Sequence, residues 1–182
     1  MSADTVSNEA EVARLRQLIR DIPDFPKPGV LFKDITPLLR DAVGLSLAIE
    51  FLTQPYVDQK IDVVSGPESR GFIFASAVAK NLSAGFVPIR KPGRLPYKVT
   101  QKEYQLEYGT DKVEMHVDAI GKGDRVLLVD DLLATGGTIQ ACSELVRSLG
   151  GTVVGAAFLI ELDVLRGRER LDHVPVYTVL HY

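Results

Sequence analysis

Apolar and polar positions change rhythm several times along the chain. Between residues 8 and 20, Val12, Leu15, Leu18 and Ile19 recur at helical spacing, which predicts an amphipathic helix. Pro23, Pro26 and Pro28 then forbid helix, and Gly29-Val30-Leu31-Phe32 reads as an extended segment. A second helix is expected over about 42–53. From Ile61 onward short β-branched runs, glycine turns and helical stretches follow one another. Ile61-Asp62-Val63-Val64 leads through residues 66–71 into the Ala-rich stretch 72–82. Phe86-Val87-Pro88-Ile89 is the next strand, Val126-Leu127-Leu128-Val129 leads into a helix over 138–149, and 152–162 is strand-like again. Continuous apolar strands alternating with helices predict an α/β fold, a mostly parallel twisted sheet flanked by helices. Without repeat or linker, 1–182 reads as one domain. In such sheets ligands bind beyond the carboxyl ends of the strands, so the loops after Val64 and Val129 are the places for chemistry.

Residues 92–118 break the rhythm. The stretch 92–105 is too polar for a core element, and connections beyond ~12 residues are commonly lids or binding loops. From 113 to 119 the pattern alternates, with Val113, Met115, Val117 and Ala119 on one face and Glu114, His116 and Asp118 on the other. That predicts a half-solvated strand, a surface position for His116, and a mobile lid over about 92–109 built as an antiparallel excursion.

Composition narrows the class. Lys plus Arg is 21 against 24 for Asp plus Glu, a net charge of −3, which argues against bulk electrostatic attachment to nucleic acid or membrane. The apolar run 153–160 falls far short of the ~18 residues of a membrane span. The opening MSADTVSNEAEV is polar and acidic, so no signal peptide and a cytoplasmic location are expected. A single cysteine, Cys142, permits no internal disulfide, and three scattered histidines make a histidine metal cluster improbable. Cys142 reads as a small hydrophobe on the apolar face of its helix. Arg166, Arg168 and Arg170 read as a solvated face, with a subunit contact as the alternative, and His173 and His181 have no partner that sequence identifies.

Residues 126–138, VLLVDDLLATGGT, carry the chemistry. Gly136 and Gly137 let backbone N–H groups turn inward at a helix N-terminus, an anion cradle to which Thr135 and Thr138 add hydroxyls. Asp130 and Asp131, adjacent at a strand end, suit vicinal hydroxyls or a cationic centre. A cradle beside paired carboxylates suits a sugar phosphate. A plain turn and a surface acidic pair are the bland alternatives. A receiver-type acidic pocket fails because only 51 residues follow Asp131. Neither GxxxxGK nor GxGxxG occurs, so no P-loop or Rossmann fingerprint competes.

This stretch resembles the phosphoribosyl-diphosphate signature of the type I phosphoribosyltransferases. From Ile22 almost to the C-terminus the chain resembles the family's adenine-using members. The matching pieces are Pro23-Asp24-Phe25-Pro26, Gly29-Val30-Leu31-Phe32-Lys33-Asp34-Ile35, Glu68-Ser69-Arg70-Gly71-Phe72 and Ile89-Arg90-Lys91. Leu106-Glu107-Tyr108-Gly109, Glu161-Leu162 and Gly167-Arg168-Glu169 complete the set.

The resemblance implies transfer of a 5-phosphoribosyl group from phosphoribosyl diphosphate to adenine, giving AMP and pyrophosphate. In the matching positions Ala134, Thr135, Gly136, Gly137 and Thr138 hold the 5′-phosphate, and Asp130 and Asp131 face the ribose. Arg70 binds pyrophosphate from a loop whose relatives often carry a non-proline cis peptide, here near Glu68–Ser69. Arg90, Lys91 and Arg94 meet the diphosphate, solvated surface charge being the alternative for Arg94 above all. Glu107, beside Tyr108, either handles the purine proton or anchors the lid by a salt bridge. A hood over about 1–35 reads the base through the Leu31 carbonyl, the Lys33 N–H and a stacked Phe32. Ala134 stands where 6-oxopurine transferases carry an Asp. Magnesium is expected to ride on the substrate, with no dedicated protein ligands. A homodimer is also implied. Two alternatives remain, a 6-oxopurine transferase and a regulatory protein of the same fold that senses phosphoribosyl diphosphate and binds RNA. The second should show a basic RNA-binding face, and a net charge of −3 with no dense Lys/Arg tract weighs against it.

Overall fold

The computed structural model describes residues 3–105, 110–171 and 173–182. The chain forms two compact units, residues 1–51 and 52–182.

The first unit opens with α1 (Ala3–Gln17) and a two-stranded antiparallel sheet, β1 (Arg20–Pro23) and β2 (Leu31–Asp34), with Ile22 opposite Phe32. The first helix ends earlier than its periodicity suggests, because pairing with β2 draws residues from Arg20 onward into a strand. A short helix, α2 (Thr36–Arg40), was not expected. Pro37 in its first turn needs no N–H there, and the Asp34 carboxylate accepts the Thr36 N–H at 2.9 Å. The longer α3 (Ala42–Thr53) lies where its pattern puts it. Lys33 is buried, its ammonium 2.7 Å from Asp21, and Phe25 meets Phe32 edge to face at 5.1 Å.

The second unit is built on five parallel strands in the order β4-β3-β7-β8-β9. These are β3 (Val63–Pro67), β4 (Gly85–Ile89), β7 (Arg125–Leu133), β8 (Thr152–Glu161) and β9 (Val176–His181), between which lie α4 (Arg70–Asn81) and α5 (Gly137–Ser148). Central strands are buried along almost their whole length, as parallel strands covered on both faces must be. Pro88 is tolerated because β4 is an edge strand. The final strand β9 was not anticipated. Crossovers from β3 and from β7 run in opposite directions along the sheet, and right-handed crossovers of opposite direction put α4 and α5 on opposite faces. The order therefore reverses between β3 and β7, and their carboxyl ends open a crevice.

The excursion is an antiparallel hairpin, β5 (Val99–Gln105) with β6 (Thr110–His116). It continues the edge of β4 through two backbone bonds between Arg90 and Glu114, 3.0 and 2.7 Å, and packs on α5. Two sequence expectations change here. Residues 92–105 do contribute to the core, since Tyr104 lies in the same cluster as Val113, Met115 and the inner face of α5. Glu114, expected in solvent, is buried because its carboxylate accepts the Gly93 N–H at 3.0 Å, while Val117 lies past the strand end and is exposed.

Candidate active site

At the crevice, β3 ends in Pro67, the Glu68–Ser69 peptide is cis as expected, and Arg70 opens α4. Across from it β7 carries Asp130 and Asp131 toward its end. The Arg70 Nε lies 3.0 Å from the Asp131 Oδ2, and Asp131 is only 4% exposed. The Asp130 Oδ1 accepts the Asp131 N–H at 2.8 Å. Burial and the charge of Asp131 push the Asp130 carboxyl well above its ordinary pKa. Burial raises Asp131 too, and Arg70 offsets part of that rise. The strand end thus holds two carboxylates that gain from any positive charge placed beside them.

Beyond the strand, Gly136 sits at φ +80° and caps α5, a backbone conformation that an L side chain resists. First-turn N–H groups of a helix lack intrahelical acceptors, so the turn is suited to an anion. It encloses a hollow of about 70 Å³ lined by Asp130 and residues 132–139. That hollow shares Asp130, Leu132, Ala134 and Thr138 with a larger cavity of about 390 Å³.

The opposite wall of the cavity is cationic and already paired. Glu68 accepts from the Arg90 guanidinium at 2.8 and 3.1 Å and from the Lys91 N–H at 2.6 Å. Burial would raise the Glu68 pKa, but these donors outweigh it and hold the carboxyl below its usual range. The Lys91 ammonium is bonded to Asp111 and, at 3.2 Å, to the Tyr104 hydroxyl. Burial alone would lower Lys91, and those two partners raise it instead. The Arg94 carbonyl accepts from Arg90 at 3.0 Å, while the Arg94 side chain is exposed and outside the cavity wall.

The structure brings together Glu68, Ser69, Arg70, Arg90, Lys91, Asp130, Asp131, Ala134 and Thr138 around the cavity, with Thr135, Gly136 and Gly137 in the adjoining hollow. Leu31, Phe32 and Lys33 lie on β2 of the first unit. Glu107 and Tyr108 lie outside the described residues. Sequence reasoning missed Tyr104 and Asp111, a directly opposed pair across the hairpin. Their only signal was a tyrosine in a polar stretch.

The donor set fits magnesium entering with a diphosphate. Asp130 and Asp131 offer hard oxygen donors, and a cation offsets the burial that raises both pKa values and the charge of Asp131 that adds to the rise at Asp130. Among the described residues one other group, Glu161, Asp163 and His181, brings potential metal-ligand atoms within 4.8 Å. There the protein supplies its own cation. The Arg168 guanidinium occupies both Glu161 oxygens at 2.6–3.1 Å, so Arg168, exposed as expected, is also tied to a buried carboxylate. His181 does have partners, Asp163 at 2.9 Å and Thr178 at 2.8 Å. Cys142 is buried, and that burial raises its thiol pKa, as an inert core residue requires.

Residues 39–180 match the family model described as Phosphoribosyl transferase domain. The chain is 59% identical over 169 residues to the adenine phosphoribosyltransferase of Nitrosococcus oceani, covering 93% of this chain and 99% of that one. It is 58% identical to that of Methylococcus capsulatus with the same coverage. The solved adenine phosphoribosyltransferase of Rhodothermus marinus superposes with a TM-score of 0.92 at 56% identity, over 96% of this chain and 99% of that one. The Saccharomyces cerevisiae enzyme, solved with an imino-altritol bisphosphate and adenine, gives 0.89 at 38% identity over 94% and 99%. No described helix is long and apolar enough to cross a membrane.

Proposed function

The chain belongs to the phosphoribosyltransferase family, and on that premise we propose that it transfers the 5-phosphoribosyl group of phosphoribosyl diphosphate to adenine, releasing pyrophosphate and AMP. The observation that carries the reading is the Asp130–Asp131 pair set between the Gly136 cradle and the Arg70 guanidinium. In this reading residues 134–138 bind the 5′-phosphate through backbone N–H groups and the Thr135 and Thr138 hydroxyls. Arg70, Arg90 and Lys91 take the diphosphate, with Glu68 and Ser69 shaping the turn beneath it, and Arg94 approaches from the rim. Breaking the C1′–O bond leaves positive charge on the ribose and negative charge on the leaving group. Asp130 and Asp131 stabilise the first, and the three cations stabilise the second. Magnesium, when bound with the substrate, supplies further neutralisation of the diphosphate.

Adenine is read by the Leu31 carbonyl, which accepts from the 6-amino group, by the Lys33 N–H, which donates to N1, and by stacking on Phe32. Hypoxanthine reverses both polar partners, and two buried mismatches at ~1–3 kcal/mol each give about 10²- to 10⁴-fold discrimination. Ala134 offers no acid for the purine imidazole, which leaves that proton to Glu107, with Tyr108 beside it. The high identity to adenine phosphoribosyltransferases supports the same choice of base and disfavours the 6-oxopurine and RNA-binding alternatives. Segment 92–109 acts as the lid that excludes water. A cytoplasmic homodimer completes the proposal, and sedimentation checks its size. Incubation with phosphoribosyl diphosphate, magnesium and equal amounts of adenine and hypoxanthine is expected to yield AMP almost alone. Comparable yields of both nucleotides would defeat the adenine assignment.

A further inference from the structure

The segment Glu161 to Arg168 lies behind the cavity, and we propose that it is the buttress that sets the shape of the phosphate cradle, with Glu161 and Arg168 as positioning residues. The inference rests on the cradle holding the 5′-phosphate, as proposed above.

Contact between the two segments is backbone on backbone. A Cβ on Gly167 would stand 2.2 Å from the Ala134 carbonyl oxygen and 3.0 Å from the Leu133 side chain. A Cβ on Gly136 would stand 2.3 Å from the Gly167 carbonyl oxygen. The nearest atom to each glycine is a backbone carbonyl oxygen rather than the end of a flexible side chain, so a shift of residue 167 is passed directly to residues 134–136.

What fixes residue 167 is its neighbour. Arg168 donates from Nε to Glu161 Oε1 at 2.9 Å and from Nη2 to Oε2 at 2.6 Å. It also donates to the Val176 carbonyl at 2.9 Å and the Thr178 hydroxyl at 3.0 Å, both on β9. A planar guanidinium held on both edges fixes angle as well as distance. Its anchor is itself fixed, since Glu161 is 4% exposed and sits in sheet register with Leu133, the residue before the cradle. The Leu162 N–H donates to the Leu133 carbonyl at 3.0 Å and closes the loop. Sheet register, guanidinium fork and glycine contact form a triangle around the cradle's first residue. The pairing of a glycine with the following arginine thereby acquires a physical purpose.

The test compares wild type with Arg168→Ala, Arg168→Lys and Gly167→Ala. Arg168→Lys keeps the charge and loses the fork, while Gly167→Ala keeps the ion pair and pushes on Ala134. Steady-state rates give KM for each substrate, calorimetry gives the affinity for ribose 5-phosphate, and a thermal scan reports folding. A displacement of the cradle by an ångström is expected to raise KM for phosphoribosyl diphosphate about ten- to a hundredfold, with KM for adenine changed less than about twofold. Ribose 5-phosphate affinity is expected to fall with it. Should Arg168→Ala fail to fold, the other two variants decide. Folded variants with an unchanged KM for phosphoribosyl diphosphate, or with both KM values rising together, would overturn the buttress. Wild type that forms no AMP from adenine would instead overturn the functional reading, and ribose 5-phosphate binding would still decide the buttress.

Discussion

Replacing Asp131 with Asn changes one oxygen to an amide at nearly constant volume, which isolates the electrostatic argument. Its carboxylate is buried, 3.0 Å from the Arg70 Nε and next to Asp130. Two unit charges 4 Å apart at an effective dielectric near 20 interact by about 4 kcal/mol. The ribosyl centre carries only part of a charge and Arg70 already screens Asp131, so about half of that, ~2 kcal/mol, is available to the transition state. At ~1.4 kcal/mol per tenfold, turnover is expected to fall about thirtyfold, with a smaller change in KM. Stability should move the other way. Both aspartates have folded-state pKa values raised by burial, so their neutral forms favour the fold. That contribution is complete below the unfolded value near ~3.9 and is lost as pH rises through the higher folded values. An amide has no such loss, and Arg70, a third exposed, suffers little without its partner. Asp131→Asn is therefore expected to melt above wild type at pH 7, with the gap closing toward pH 4. Each ~1 kcal/mol gained appears as about 2–4 °C. Initial rates of AMP formation and thermal scans across pH measure both. Turnover within about threefold of wild type, or a lower melting point at neutral pH, would refute the reasoning.

Gly136→Ala combines ~1–2 kcal/mol of left-handed strain with a collision against the Gly167 carbonyl, so it should lower the melting point and raise KM for phosphoribosyl diphosphate in the same rate assay. Glu68, Asp111 and Glu161 have pKa values held down by their cationic and N–H partners against the pull of burial. Their stabilisation is present above the unfolded values and lost as pH falls through the folded ones, so Glu161→Gln should flatten the acid limb of a urea-denaturation profile. Lys33→Ala should keep the preference for adenine, because the side chain is engaged with Asp21 while the base is read by main chain. Lys33→Pro should abolish that preference along with activity, and direct competition of the two purines distinguishes them.

The parallel core was legible because Val63-Val64 and Val126-Leu127-Leu128-Val129 are short apolar runs with helices between them, the alternation that marks a parallel α/β sheet. The cradle was legible for a related reason, since Gly136-Gly137 between threonines at a strand-to-helix turn has local backbone meaning. What escaped was set by tertiary contact. The stretch 99–105 is polar and becomes a strand only by pairing with β6 and packing on α5, and Tyr104 enters the core from it. Glu114 obeyed a solvent-facing alternation and is buried because Gly93 presents an N–H to it. Arg168 looked like one of three surface arginines. Its role depends on Glu161, Val176 and Thr178, and no local pattern announces those partners.

One arrangement recurs around the cavity and bears on the substrate. Arg70, Arg90 and Lys91, the cations assigned to the diphosphate, each face a carboxylate, namely Asp131, Glu68 and Asp111. Three unpaired cations so close together would repel one another and strain the empty fold. Paired, they stand ready at fixed positions, and binding becomes a sharing of partners rather than a capture. Asp130 adds a further carboxyl to the cavity lining, beside Glu68 and Asp131. Such a wall has little net positive charge to offer a bare diphosphate, whose own negative charge would meet three acidic groups, Glu68, Asp130 and Asp131. A diphosphate that arrives with magnesium brings its neutralisation with it and meets the aspartates on favourable terms. The charge balance of the cavity thus suits a diphosphate accompanied by a divalent cation better than the free anion, as the proposed function expects.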